Sequence, residues 1–95
     1  LSLHDALPIL IAAQAADELL NITGIEASFV IVKIDDEIFI SGRSLGKINV
    51  QLILETLGGG GHMTMAGTKF TSMELGEVVD KLKEAIEKYL KEDEK

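Results

Sequence analysis

Residues 58–67 decide how the middle of the chain folds, and they read Gly58-Gly59-Gly60-Gly61-His62-Met63-Thr64-Met65-Ala66-Gly67. Glycine loses more backbone entropy on folding than other residues, so a run of four suggests a place where side chains would obstruct something. A helix stop and a tight turn would use only one or two of them, with His62 as a surface residue. The length of the run therefore favours close approach of another group, and exposed amides facing a phosphate are the first candidate. The spacing matches neither GxGxxG nor GxxxxGK[ST].

The segment before the glycine run predicts one helix and two strands. Residues 10–22 show helical spacing of apolar residues, which predicts an amphipathic helix closed by Gly24. Its predicted apolar face consists of Ile11, Ala15, Leu19 and Ile22. Residues 26–34 are β-branched and apolar on both faces, as in a buried inner strand, and residues 38–43 form a second strand. The acids between these strands, Asp35, Asp36 and Glu37, are interpreted as a solvated hairpin tip rather than a metal site.

Two helices and a third strand are predicted around and after the glycine run. Asn49 is placed to cap a helix over 50–57, and Gly58 to end it in the left-handed conformation. That helix has an apolar stripe of Val50, Ile53, Leu54 and Leu57. Residues 66–71 predict a strand, and Thr71 with Glu74 predicts the capping box of a last helix that reaches about Lys91. The apolar face of this last helix would comprise Leu75, Val78, Val79, Leu82, Ile86, Tyr89 and Leu90.

The order of these elements predicts an α+β or α/β fold, with a small mixed β-sheet of about three or more strands flanked by helices. The chain has 95 residues, enough for one small domain. Residues 1–9, LSLHDALPI, resemble one reading frame of a sequencing-library adapter and are interpreted as an artefact. The alternative is a native arm in which Pro8 starts a helix. The folded domain is then 10–91, followed by a frayed acidic tail over 92–95, and we expect the chain to be a fragment of a longer protein.

Composition excludes several kinds of site. Cysteine is absent, so disulfides, thiolate zinc sites and cysteine nucleophiles are excluded. No apolar run approaches the roughly 20 residues of a membrane span. The net charge of −7 argues against a general nucleic-acid coat. The acids concentrate in 74–95, whereas residues 39–73 carry Arg43, Lys47 and Lys69 against Glu55 alone. The glycine run therefore lies in a locally positive stretch.

Two polar residues near the glycine run are candidates for binding an anion. Arg43 stands at a predicted strand end, where its fork of donors suits a phosphate; the alternative is an exposed arginine paired with Glu55 or another acid. His62 offers a donor to a phosphoryl oxygen or a base, unless backbone carbonyls satisfy it. A lone histidine does not make a metal site, and no Ser/His/Asp arrangement supports nucleophilic catalysis. Ser44 and Thr64 offer further hydroxyls, and Met63 and Met65 are interpreted as core or pocket lining.

The combined motifs resemble a known family. The stretch SGRSLGKINVQLILETLGGGGHMTMAG, residues 41–67, is similar to the C-terminal DHH-associated domain of the DHH-family phosphoesterases, where an Arg-Ser at a strand end precedes a helix and a GGGH…AAG signature. From QAADELLNITGIEASFVIVKIDD onward, the sequence is most similar to the cyclic di-AMP phosphodiesterase branch of this family. The resemblance covers nearly all of residues 10–90. Met65-Ala66-Gly67 departs from the Ala-Ala-Gly common in the family, which leaves the shape of the pocket open.

The resemblance implies a substrate-binding domain. It implies that Arg43, Ser44, the amides of Gly59, Gly60 and Gly61, and His62 face the phosphates of a cyclic dinucleotide across an interdomain cleft. A missing N-terminal DHH domain of the same chain would hold two manganese ions and hydrolyse cyclic di-AMP to a linear dinucleotide. This chain would then contain no catalytic or metal-binding residue and would be inactive alone. A cytoplasmic location is implied, and membrane tethering of the parent through upstream segments and homodimer formation stay open.

Two other classes of function stay open. Related domains occur in single-strand exonucleases and alanyl-tRNA synthetases, so a nucleic-acid binding module is the main alternative. Against it stand the net acidity, the low aromatic content of 4% and the lack of interleaved basic and aromatic residues. A purely structural or dimerising domain is the third interpretation.

Overall fold

A computed structural model describes the backbone of residues 3–93 and the side chains of residues 6–92. Three helices and four strands follow one another as α1 (Leu3–Leu19), β1 (Ala27–Ile34), β2 (Glu37–Ser44), α2 (Val50–Glu55), β3 (Gly60–His62), β4 (Met65–Thr71) and α3 (Leu75–Asp93). This is an α+β fold, which confirms the predicted class. Within the described residues, no helix is both long and apolar enough to cross a membrane.

The four strands form one sheet in the order β1-β2-β4-β3, and every neighbouring pair is antiparallel. The prediction of a mixed sheet is therefore wrong. The prediction that 26–34 is the inner strand is also wrong, because β1 lies at an edge and is mostly half-buried, whereas β2 lies inside and is mostly buried. An apolar edge strand and an inner strand have similar compositions, so composition did not separate them.

The β1–β2 hairpin confirms the predicted turn at Asp35 and Asp36, whereas Glu37, predicted to be part of the tip, is the first residue of β2. The register of the hairpin runs from Ala27 opposite Ser44 to Ile34 opposite Glu37, which leaves Asp35 and Asp36 as a two-residue loop. Asp35 has a φ of 54°, a left-handed value that aspartate tolerates better than most residues.

Alternation along β2 gives the sheet two different faces. Ile38 and Ile40 face α2 and α3 and belong to the main core, together with Val50, Ile53, Leu54, Ala66, Val78 and Leu82. Phe39, Ser41 and Arg43 lie on the opposite face, where α1 packs on β1 and β2. The hydroxyl of Ser28 on β1 donates to the carbonyl of Ala16 at 2.6 Å and ties α1 to the sheet.

The predicted apolar face of α1 is wrong. Its buried residues are Ala12 and Ala16, 1% and 0% exposed, whereas Ile11 is 61% exposed. Leu19 and Ile22 are also exposed, and Ala15 is half-buried. Small side chains let the helix lie close to the strands, and that selects the alanines over the larger residues that the spacing favoured.

The predicted bounds of α1 also differ from the observed ones. The helix starts at Leu3 and contains Pro8, and it ends at Leu19 rather than at residue 22. A turn follows in which Gly24 has a φ of +90°. The helix therefore includes residues of the segment interpreted as an artefact, and the origin of residues 1–9 stays a prediction.

The predicted N-cap of α2 is confirmed, whereas the helix ends at Glu55, two residues before the predicted end at Leu57. The Asn49 side chain accepts from the Leu52 amide at 3.1 Å, as a helix N-cap does. Gly58 has a φ of +86°; its amide donates to the carbonyl of Glu55 at 3.1 Å, and the Gly59 amide donates to Leu54 at 2.9 Å. This pair of bonds is a Schellman motif, and it satisfies carbonyls at the end of the helix.

The start of α3 differs from the prediction. Thr71 is the last residue of β4, and Ser72 turns the chain with a φ of +58°, so Thr71 does not form a capping box with Glu74. The Glu74 carbonyl instead accepts from the Val78 amide at 3.2 Å. The helix continues through Asp93, beyond the predicted start of the frayed tail, and residues 94 and 95 lie outside the described part. Of the predicted stripe, Val78 and Leu82 are buried, whereas the terminal members Leu75 and Leu90 are exposed.

Candidate functional site

A cleft of about 660 Å³ lies between α1 and the sheet, on the face opposite the main core. Ile9, Ala12 and Ala13 of α1 form one wall. The floor consists of β2, β4 and the glycine run with His62. The cleft exists because α1 packs on β1 and β2 and leaves the other half of this face open.

One row of residues crosses the open half of the sheet. Arg43 of β2 lies opposite Met65 of β4, and Met65 lies opposite His62 of β3. Residues paired across antiparallel strands share a face, and adjacent strands are about 4.8 Å apart. Arg43 and His62 therefore flank Met65 on the cleft face, with their backbones about 10 Å apart. The structure brings these two predicted site residues together in one cleft.

Arg43 is held from two sides. Its Nε donates to Oδ1 of Asp17 at 2.9 Å, and its Nη1 donates to the Gly42 carbonyl at 3.3 Å. The side chain is 13% exposed, whereas that of Asp17 is 61% exposed. Pairing with an acid was foreseen as the alternative for this arginine, but the partner comes from α1 and not from Glu55, which accepts from Gln51 instead.

Ser44 does not join the cleft. Strand alternation places its side chain on the face opposite to that of Arg43, where it is buried. Its hydroxyl accepts from the Gly46 amide at 2.9 Å, and its own amide donates to Thr64 at 3.0 Å. In this structure Ser44 therefore supports the loop after β2, and it lies away from the residues that line the cleft.

Three of the four glycines are required by the fold. Gly58 adopts the left-handed conformation of a helix C-cap. A Cβ on Gly59 would overlap the Gly67 carbonyl and lie 2.5 Å from Cβ of Thr68. Gly61 has a φ of +146°, and a Cβ there would overlap the Met65 carbonyl. The group that approaches Gly59 and Gly61 closely is thus the backbone of β4.

Gly60 differs from its neighbours. A Cβ on Gly60 would have nothing within 4 Å, and its φ is not left-handed. It lies opposite Gly67, which lies opposite Ser41, so this position belongs to the cleft face. The fold therefore does not require glycine at position 60. The absence of a side chain there leaves the floor of the cleft flat.

The amides of the glycine run are not equivalent donors. The Gly59 amide is already committed to Leu54, so it is not available to a group in the cleft. Gly60, Gly61 and His62 form β3 at the edge of the sheet, where alternate backbone groups lack a partner strand.

The sequence did not predict one charged residue of the cleft, or the acid that contacts Arg43. Lys69 lies opposite Phe39 on the cleft face and pairs with Glu37 at 3.0 Å. It stands four residues along β4 from Met65, about 13 Å from the row with Arg43. The alternation of side chains along a strand, which places residues 65, 67 and 69 on one face, could have predicted that Lys69 lies on the cleft face. Nothing local in the sequence indicated that Asp17 contacts Arg43.

The arrangement is suited to binding an anion. It offers the guanidinium of Arg43, the exposed imidazole of His62 and the ammonium of Lys69, which is paired with Glu37, on a floor made partly of glycine backbone. Among the described residues, no three His, Asp or Glu side chains converge as metal ligands. The residues present here therefore do not fit a manganese site.

Comparisons with a family model and with curated proteins agree on the family of this chain. Residues 4–92 match the DHHA1 domain. The chain is 47% identical over 78 residues to the cyclic-di-AMP phosphodiesterase GdpP of Bacillus subtilis (strain 168), which covers 81% of this chain and 12% of that protein. It is 50% identical over 82 residues to the cyclic-di-AMP phosphodiesterase PdeA of Listeria monocytogenes, covering 85% of this chain and 12% of that protein.

A solved structure is also similar. An exopolyphosphatase-related protein from Bacteroides fragilis superimposes with a TM-score of 0.71 at 29% identity, over 78% of this chain and 22% of that one. The chain thus spans only about an eighth of the length of the two phosphodiesterases.

Proposed function

The chain belongs to the DHHA1 domain family, and from this membership we propose that it is the substrate-binding domain of a DHH-family phosphodiesterase that hydrolyses a cyclic dinucleotide. The observation that carries the proposal is the row of Arg43, Met65 and His62 beside a floor kept flat by Gly60. Two donors on one rigid face can hold a phosphate group from two directions. The names of the relatives favour cyclic di-AMP as the dinucleotide.

Each residue of the cleft has a proposed role. Arg43 donates to phosphate oxygens through its terminal nitrogens. His62 donates to an oxygen or contacts a base from the other side of the row. Gly60 and Gly67 let the sugar-phosphate backbone lie against the sheet. Ser44 acts indirectly, because it holds the loop behind Arg43.

The bond-breaking chemistry is proposed to lie outside this chain. A preceding DHH domain would supply two manganese ions, which provide charge stabilisation and an activated water when bound. The described residues bind and orient the substrate, and the isolated chain is expected to be inactive. Incubation of the chain with cyclic di-AMP and manganese checks this, and product formation would contradict it.

The binding proposal is tested by titrating the chain with cyclic di-AMP. We expect Arg43→Ala and His62→Ala each to weaken binding by about tenfold or more, because each removes a donor from the row. Glu55→Ala on α2 is the control, since it is exposed and does not line the cleft. A parallel titration with labelled single-stranded DNA tests the nucleic-acid alternative. Tight binding of DNA that falls steeply with salt, without binding of cyclic di-AMP, would favour that alternative.

A further inference from the structure

α1 is attached to the sheet by two adjacent residues. The Ala16 carbonyl accepts from Ser28, and the Asp17 carboxylate accepts from Arg43. Ser28 and Arg43 are themselves opposite one another on β1 and β2. The four residues therefore form one compact connection between the last turn of α1 and the sheet, directly beside the cleft.

This connection uses only part of the guanidinium. Arginine carries five N–H donors in a planar fork. The Nε–H is taken by Asp17 and one Nη1–H by the Gly42 carbonyl, and the remaining donors have no hydrogen bond among the described residues. Since Arg43 lines the cleft, the bond to Asp17 fixes the plane of the guanidinium while its terminal nitrogens stay open to a ligand.

We infer that Asp17 is a positioning residue for anion binding: it holds Arg43 through Nε so that the terminal nitrogens face the cleft. The identity of the ligand rests on the function proposed above, but the positioning of Arg43 does not. Asp17 does not line the cleft, so it acts through the arginine.

The charge of Asp17 allows the rival roles to be separated. A carboxylate that only competed with the ligand for Arg43 would weaken anion binding, and every neutral substitution would then strengthen it. A positioning residue behaves differently. Asp17→Asn keeps an oxygen that can accept from Nε and removes the charge, whereas Asp17→Ala removes both. Only Asp17→Ala should then leave the Arg43 guanidinium without its partner on α1.

The experiment combines binding with a direct observation of the arginine. Cyclic di-AMP and pyrophosphate are titrated into the full chain and its variants, and hydrogen exchange of the Arg43 Nε–H is followed by NMR. We expect Asp17→Ala to weaken binding about three- to tenfold and to accelerate the exchange, while Asp17→Asn stays within about twofold of the unmodified chain. Glu18→Ala is the matched control, because it removes the same charge from the next residue of α1 and is exposed.

The outcomes distinguish the two proposals. Equal or tighter binding in both Asp17 variants, or an equal loss in Glu18→Ala, overturns the positioning role. Unchanged Nε–H exchange in Asp17→Ala also overturns it, whichever ligand binds. If the unmodified chain binds no cyclic di-AMP, the proposed function fails, and the positioning role is then decided by the exchange rates and by pyrophosphate. Circular dichroism melting of each variant shows that a loss of binding is not a loss of fold.

Discussion

On one face of the sheet, Ile38 and Ile40 of β2 are fully buried against α2 and α3; on the other, Ser41 and Arg43 of the same strand face α1 and an open cleft. The first face is held by branched apolar side chains, and the second by Phe39, two alanines of α1 and two polar contacts. Stability should therefore depend mainly on the core face and ligand binding mainly on the cleft face. Because successive side chains of a strand point to opposite faces, β2 contributes to both the core and the cleft.

The largest expected effect is on the core face. Ile53 is 1% exposed and lies in the core cluster, so Ile53→Ala should lower the free energy of unfolding by about 2–5 kcal/mol through lost burial and a cavity. Chemical denaturation measures the change. Leu52→Ala is the control on the same helix, because Leu52 is 52% exposed and should change stability by less than about 0.5 kcal/mol. Similar losses at both positions would show that burial of Ile53 in the core does not determine the stability of this helix.

The glycine run separates residues that stabilise the fold from residues that bind the ligand. Gly61→Ala should destabilise the chain by about 1–3 kcal/mol, because it combines a left-handed φ with overlap on β4. Gly60→Ala should leave the melting temperature unchanged, since its Cβ meets nothing, yet it should weaken cyclic di-AMP binding by raising the floor of the cleft. Thermal melting and titration of the two variants check this. Equal changes in stability and in binding for the two variants would show that Gly60 and Gly61 do not have separate roles.

The smallest expected effect concerns the attachment of α1. Ser28→Ala removes the donor to the Ala16 carbonyl, which lies in the last turn of the helix, where carbonyls lack helical partners. We expect a loss of about 1 kcal/mol, measured by denaturation. Ser41→Ala on the same face is the comparison, because Ser41 is also buried in the sheet but its hydroxyl makes no hydrogen bond among the described residues, so its removal should cost less. A loss as large as that of Ile53→Ala would mean that the cleft face contributes as much to stability as the core face.

Signals confined to a few neighbouring residues predicted their parts of the structure well. Asn49 as a helix cap, Gly58 as a left-handed helix end and the Asp35–Asp36 turn all depend on the local backbone. The apolar stripe of α3 was also largely predicted, because a helix that packs on one side repeats its pattern over several turns.

Features that depend on distant neighbours were not predictable in the same way. The alanine face of α1 reflects how closely the helix approaches the sheet, and β1 is an edge strand only because nothing in the described chain pairs beyond it. β3 is short and consists of two glycines and a histidine, which carry almost no strand propensity. The candidate site was predicted in part: Arg43 and His62 both line the cleft, whereas strand alternation places the side chain of Ser44 on the opposite face.

The bond from the Gly59 amide to Leu54 joins the cleft floor to a helix that is anchored in the core. The most flexible composition in the chain is thus ordered when the domain folds, before any ligand arrives. Binding of a ligand should then require little further loss of backbone entropy. The free energy of the contacts is therefore not offset by the cost of ordering a loop. A glycine-rich sequence is then expected to form an ordered surface rather than a flexible loop.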